Sequence, residues 1–354
     1  MDRLKACLDA IAAPDQNLSL AANERLDQLT KPVGSLGRLE ELARTIVEIT
    51  GKPIPAVHNP AIFTLAADHG VVGEGVSAYP QVVTAQMVEN FLRGGAAVNV
   101  LARQAGARVI VADFGVASPL PPHPLLVVKK IGNGTRNLTR EAAMTREQAV
   151  TAIESGMELV EHELPSGLDL IGTGEMGIGN TTASSAITAV VTRRPVVEVT
   201  GRGTGIDGET WRHKVRVINQ AIERHQPDSN DALDILMKVG GFEIGGLVGV
   251  IIAGAANRVP VILDGFISGA AALLATTLSP HARHYLIAGH QSAEPGHRAV
   301  LRHLRLRPYL ELDMRLGEGT GAALAIGLCR AAVSIYNEMA TFKSAGVSSR
   351  SSEQ

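Results

Sequence analysis

Residues 168–191 read Leu-Asp-Leu-Ile (168–171), then Gly-Thr-Gly-Glu-Met-Gly-Ile-Gly-Asn-Thr-Thr (172–182), then Ala-Ser-Ser-Ala-Ile-Thr-Ala-Val-Val (183–191). A short apolar run, a glycine-rich bend and an apolar helical stretch in succession make a strand–loop–helix unit. The same grammar recurs along the chain. Ala61–Ala67 ends in Asp68-His69-Gly70, Arg108–Ala112 ends at Asp113, Val259–Leu263 ends at Asp264, and Tyr285–Ala288 ends at Gly289-His290; Leu125–Val128 is a further candidate strand. These runs are continuously apolar instead of alternating, which predicts a parallel sheet covered by helices on both faces. Helices are expected over Gln81–Arg103, Thr145–His162 and Gly321–Phe342, and the first fifty residues read as a self-contained helical unit. Ligands of open α/β sheets bind beyond the carboxyl ends of the strands, so the Asp- and Gly-rich strand ends mark the working face.

Composition narrows the class. The 354 residues are 45% hydrophobic and 19% charged, the balance of a folded globular chain. Aromatics are only 3% and glycines number 37, which suits helices packed closely on a sheet. With 33 basic and 35 acidic side chains the net charge is −2, and no basic surplus invites nucleic acid. Two cysteines, Cys7 and Cys329, supply neither a disulfide framework nor a cysteine zinc site, and point to a reducing, cytoplasmic compartment. Asp9 interrupts the N-terminal apolar stretch, which argues against a signal peptide. The longest uncharged stretches, Ile244–Ala256 and Gly265–Leu278, are shorter than the ~20 residues that span a bilayer and read as buried helices. His281, His284, His290, His297 and His303 lack a coherent ligand spacing, so no metal is expected. Arg298, Arg302, Arg305 and Arg307 lack interleaved aromatics and read as a solvated face.

Four segments carry candidate chemistry. Gly172–Thr182 precedes a helix whose N-terminal N–H groups and dipole favour an anion; a plain capped turn is the alternative. The Gly-Lys-Ser/Thr ending of a Walker loop is missing. Gly201-Arg202-Gly203-Thr204-Gly205-Ile206-Asp207, with Lys214 beyond it, could close round the same anion, although Lys214 taken alone reads better on a solvated helix face. Arg315–Ala322 sets Glu318 between glycines, as a partner of the helix dipole or as a proton acceptor. Glu74–Gln81, followed by Gln86, forms a shaped loop in which Tyr79 is free to stack on a ring. The tripeptide Gly-Thr-Gly occurs at 172–174, 203–205 and 319–321, each time near an expected helix start.

Together the strings Lys31-Pro-Val-Gly-Ser-Leu-Gly-Arg-Leu-Glu40, Ala67-Asp-His-Gly70, Glu74–Gln81, Gly177-Ile-Gly-Asn-Thr-Thr182, Gly201–Asp207, Val239–Gly245, Leu263–Ala270 and Arg315–Ala322 are specific. In this order, over roughly residues 30–330, the chain resembles the nicotinate-nucleotide:dimethylbenzimidazole phosphoribosyltransferase family. The resemblance implies transfer of phosphoribose from nicotinate mononucleotide to 5,6-dimethylbenzimidazole, with inversion at C1′, without a metal or other cofactor. It implies a three-layer α/β/α fold with a Rossmann-like, mostly parallel sheet, plus a small helical domain from both chain ends. Boundaries follow: 1–56 and 316–343 for the small domain, 57–315 for the large phosphoribosyltransferase domain, and 344–354 as a disordered tail. It implies a homodimer; the charge balance and the short apolar stretches imply no nucleic-acid or membrane partner.

By the same resemblance Glu318 is the base that removes the ring N–H proton, kept ionised by a nearby helix dipole, and Glu175 stabilises the cation-like ribose. Ser77, Ala78, Tyr79, Pro80 and Gln86 line the slot for the acceptor base. Gly177, Ile178, Gly179, Asn180, Thr181, Thr182, Gly201, Arg202, Gly203, Thr204 and Lys214 hold the phosphate and ribose, and Ser292 and Leu316 meet the nicotinate. Two other readings remain at this level: the same donor with adenine or a phenol as acceptor, and a non-catalytic nucleotide sensor, which would need the phosphate loops but no base.

Overall fold

The computed structural model describes residues 2–348. In chain order the elements are α1 (Asp2–Asp9), α2 (Gln16–Gln28), α3 (Arg38–Thr50), β1 (Pro60–Ala67), α4 (Val83–Leu92), α5 (Ala97–Ala105), β2 (Arg108–Gly115), β3 (Leu126–Val128), α6 (Arg146–Glu163) and β4 (Leu170–Met176). Then come α7 (Asn180–Thr192), α8 (Val196–Val199), α9 (Gly208–His225), α10 (Ala232–Val239), α11 (Phe242–Ala256), β5 (Val261–Leu263) and α12 (Phe266–Leu278). The rest are β6 (Leu286–Ala288), β7 (His290–Gln291), α13 (Pro295–Leu304), β8 (Leu310–Glu311), α14 (Thr320–Glu338) and α15 (Phe342–Ala345).

Six strands form one sheet in the order β3-β2-β1-β4-β5-β6, with every neighbouring pair parallel. The fold is thus the doubly wound α/β/α arrangement expected from the apolar runs. From β1 the chain winds one way to β2 and β3, then returns to β4 and winds the other way. A crevice is left at the carboxyl ends of β1 and β4, where the order reverses.

The side chains of β1 show how the sheet divides the core. Ala61, Phe63, Leu65 and Ala67 point into one apolar cluster, with α6, α11 and α12; Ile62 and Ala66 point into the other, with α3, α5 and α14. In the first cluster two helices nearly touch by their backbones. A Cβ added at Gly156 of α6 would lie 1.9 Å from the carbonyl oxygen of Gly246 in α11. The two chain ends meet in the second layer, where α14 packs on α3 and α5 and shares its core with the sheet residues Ile62, Leu170 and Ile262.

The Lys31–Glu40 string serves this layer. Lys31 pairs with Glu40 at 2.8 Å across the turn before α3, and the guanidinium of Arg38 stacks 3.9 Å from the Tyr309 ring centroid beside β8.

Several expectations change. The first fifty residues are not self-contained: α1 lies on the opposite layer, against α6 and α11, with Arg3 paired to Glu158 at 2.6 Å. The helix expected over 81–103 is two helices, broken where Gly94 takes φ +76°. The final helix ends at Glu338, and Ser344 and Ala345 belong to α15; of the tail expected to be disordered, 349–354 lie outside the described residues. Among the described residues no helix is long and apolar enough to cross a membrane.

Candidate active site

A cleft of about 530 Å³ opens at the reversal point of the sheet. Its floor is the end of β4 and the start of α7: Glu175, Met176, the turn Gly177–Gly179, then Asn180 and Thr181. The turn closes on itself, with Asn180 N–H donating to the Gly177 carbonyl at 3.0 Å, and sets the positive end of the α7 dipole at the cleft, an arrangement suited to an anion. Behind it stands Lys214 of α9, whose Nζ donates to Thr181 Oγ1 at 2.7 Å. Lys214 is 1% exposed, so it is not on a solvated face; burial pulls its ammonium down to about 8, against the attraction of Glu294. Gly203 and Thr204 close this end. Gly203 N–H donates to Glu294 Oε1 at 3.0 Å, and Arg315 Nη1 donates to the Gly203 carbonyl at 3.0 Å.

The Gly-Thr-Gly of 172–174 is not part of that turn. It is the middle of β4, and its glycines face α14. A Cβ at Gly174 would lie 2.2 Å from the Glu318 carbonyl oxygen, so the missing side chain is what lets the Glu318 loop lie on the strand. That loop is left-handed at three successive residues, Gly317 (φ +91°), Glu318 (φ +64°) and Gly319 (φ +103°). The turn aims the Glu318 carboxylate into the cleft, where Oε2 accepts from the Val98 N–H at 3.3 Å. The helix dipole it meets is therefore that of α5, not of α14. Burial outweighs this contact and holds the Glu318 carboxyl above the usual range.

Glu175 faces the same cleft and accepts a hydrogen bond from Asn180 Nδ2. Burial, then repulsion from Asp264 and Glu243, pushes its carboxyl up to about 8, so without a cationic ligand it is protonated at neutral pH. Asp264 at the end of β5 is pushed up to about 7 by burial, although it accepts backbone N–H groups from Gly319, Gly321 and Ala322.

One lip is the 76–79 loop with Val83 and Met87 of α4; the other is Arg315–Glu318, and Phe266, Ile267, His290 and Ser292 form the end wall. The 76–79 loop is tied across the rim, since Ala78 N–H donates to Thr204 Oγ1 at 3.0 Å and Ser77 Oγ lies 3.3 Å from the same atom.

The structure brings Ser77, Tyr79, Glu175, Gly177, Ile178, Gly179, Asn180, Thr181, Gly203, Thr204, Ser292, Leu316 and Glu318 to one cleft. Ala78 and Pro80 lie on the outer side of the loop, and Thr182 and Gly201 are buried behind the lining. Arg202 turns back to donate to the Ile206 carbonyl at 3.2 Å. Gln86 is exposed and outside the lining, whereas Val83 and Met87, one helical turn apart, both line the cleft.

The sequence did not single out Val83, Met87, Phe266, Ile267, Glu294 and Arg315 as cleft residues, and marked Asp264 and His290 only as strand ends on the working face. His290 and Glu294 flank Ser292 in Gly289–Glu294, so proximity alone was a usable signal; nothing local marked Met87. Among the described residues, no group of three or more His, Cys, Asp or Glu is placed to hold a metal ion.

Known proteins share this architecture and sequence. Residues 11–347 match the family described as Phosphoribosyltransferase. A nicotinate-nucleotide–dimethylbenzimidazole phosphoribosyltransferase of Chloroflexus aurantiacus is 58% identical over 350 residues, 99% of this chain and 100% of that protein. Its namesake from Geobacter sulfurreducens is 54% identical over 347 residues, 98% of this chain and 99% of that one. The crystal structure of CobT from Thermus thermophilus superposes with a TM-score of 0.91 at 47% identity, covering 94% of this chain and 100% of that one. The chain belongs to the nicotinate-nucleotide–dimethylbenzimidazole phosphoribosyltransferase family.

Proposed function

We propose that this enzyme transfers phosphoribose from nicotinate mononucleotide to 5,6-dimethylbenzimidazole, giving α-ribazole 5′-phosphate and nicotinate, in the assembly of the cobalamin lower ligand. One observation carries the reading: two buried carboxylates, Glu175 and Glu318, face a cleft that also holds a helix N-terminus backed by a buried lysine. A nucleotide sensor has no use for the carboxylates.

The 5′-phosphate sits at the N-terminus of α7, on the N–H groups of Gly179 and Thr181. Lys214 and Arg315 add positive charge beside it. The pyridinium ring lies toward Phe266, Ile267 and Ser292, and the acceptor lies flat between Tyr79, Val83 and Met87. One acceptor nitrogen attacks C1′ as the bond to the pyridinium nitrogen breaks, which inverts the β-nucleotide to the α-product. The acceptor's other nitrogen loses its proton to Glu318. A carboxyl raised above the usual range is a stronger proton acceptor once ionised, which suits a general base working near neutral pH. Glu175, neutral in the free cleft, ionises beside the bound pyridinium and then stabilises the cation-like ribose.

Tyr79 and Leu316, 54% and 58% exposed on the two lips, support assembly as a homodimer that covers apolar surface at the cleft mouth. Sedimentation tests that assembly. The cytoplasmic setting rests on the cysteine usage alone. The chemistry is tested by incubating the protein with nicotinate mononucleotide and a panel of benzimidazoles, purines and phenols, following products by mass. Nucleotide binding without turnover of any base would leave the sensor reading in its place.

A further inference from the structure

Three successive left-handed residues, one of them a glutamate, do not hold such a conformation unaided. Asp264 holds the far side of this turn. Its Oδ2 accepts from Gly319 N–H at 3.1 Å, and its Oδ1 accepts from Gly321 N–H at 2.6 Å and Ala322 N–H at 3.2 Å. Thr64 Oγ1 on β1 donates to the Glu318 carbonyl at 2.9 Å and fixes the near side. Asp264 is itself braced. Its N–H donates to Thr173 Oγ1 at 3.1 Å, and that hydroxyl donates to the Ile262 carbonyl at 3.1 Å.

An ordinary helix cap comes from the cap residue's own side chain. Here the cap residue is Gly319, which has none, and the capping group arrives from the end of another strand. Asp264 is 1% exposed and does not line the cleft, and His290 Nε2 is 3.7 Å from Oδ1, beyond hydrogen-bond reach. A carboxylate buried this deeply is costly unless its partners need it. Its partners are the N–H groups on which the direction of Glu318 depends.

We propose that Asp264 is a positioning residue: it fixes the strained 317–319 turn and, through it, the direction of Glu318. The inference rests on Glu318 being the base.

The test is a double-mutant cycle of Asp264→Asn and Glu318→Gln, read as kcat, KM for both substrates, nucleotide Kd by calorimetry and melting temperature. Asp264→Ala should lower kcat about 100-fold, the scale of a misplaced catalytic group. Asparagine keeps one carbonyl acceptor for Gly321 and Ala322, so Asp264→Asn should restore part of this, to a loss of roughly 10-fold. Nucleotide Kd should stay within about twofold, and in the Glu318→Gln background Asp264→Asn should cost less than about twofold. An equal loss in both backgrounds, or a nucleotide affinity that falls in step with kcat, overturns the proposal while leaving Glu318 as the base. A Glu318→Gln enzyme that turns over normally overturns both. Should Asp264→Ala not fold, Thr173→Val is the second variant: it removes the brace without touching the turn, and the same cycle applies.

Discussion

Lys214 Nζ and Thr181 Oγ1 are 2.7 Å apart, a contact that joins the middle of α9 to the first turn of α7. It places a buried cation directly behind the N–H groups expected to hold the phosphate. Lys214→Met should weaken nucleotide binding by roughly 1.5–3 kcal/mol, the scale of a charge-assisted hydrogen bond. Calorimetry that shows an unchanged Kd would remove Lys214 from the site.

The pH dependence follows from two groups of opposite sign. Lys214 must keep its proton and loses it above about 8; Glu175 must lose its proton and keeps it below about 8. kcat/KM for the nucleotide reports the free enzyme, so it should be bell-shaped, with a maximum near pH 8. The alkaline limb should vanish in Lys214→Met. In Glu175→Gln the rise on the acid side should flatten to what Glu318 contributes. Limbs that survive these substitutions would belong to other groups.

Glu318→Gln keeps the shape and hydrogen bond of the base and removes its proton affinity. We expect kcat to fall about 10²–10⁴-fold with nucleotide affinity unchanged, and Glu175→Gln to cost less. Near wild-type turnover in Glu318→Gln with an inactive Glu175→Gln would exchange the two roles.

Acceptor choice should respond to Tyr79 and Met87, which line the cleft, and not to Gln86, which is exposed outside its lining. Substitutions at Tyr79 or Met87 should reorder benzimidazole, purine and phenol acceptors in competition assays; Gln86→Ala should leave the order as it is. A reordering by Gln86→Ala alone would place the slot on another face of α4.

Two glycines make a paired prediction. Gly174→Ala places a methyl 2.2 Å from the Glu318 carbonyl oxygen, so the turn must shift and kcat should fall at least about 10-fold, with a stability loss of roughly 1–3 kcal/mol. Gly327, exposed within α14, has nothing within 4 Å of an added Cβ. Gly327→Ala should leave activity alone and raise stability by about 0.5–1 kcal/mol in denaturant titration.

The sheet was legible because its strands announce themselves locally. Uninterrupted apolar runs that end in Asp or Gly yield parallel strands and a working edge without reference to anything distant. The anion-binding turn at Gly177–Gly179 was legible for the same reason: a strand, a bend and a helix start are neighbours in the chain. The Gly-Thr-Gly at 172–174 misled by that local logic. There Gly174 makes room for Glu318, more than 140 residues away, and Gly172 for Ile62 and Ala322, and neither serves a turn of its own.

By itself, the sequence determined the element types, the parallel sheet and the segments that carry the chemistry, all of which depend on periodicity and on adjacent residues. Only the tertiary structure decided that Lys214 is buried and not solvated, that Met87 and not Gln86 faces the cleft, that Glu318 meets the N-terminus of α5, and that Asp264 holds its turn. Each of these is a burial or a contact between distant parts of the chain. Burial sets the proton affinity of a charged group, and packing sets the direction of a side chain; neither is encoded in the residue or its immediate neighbours.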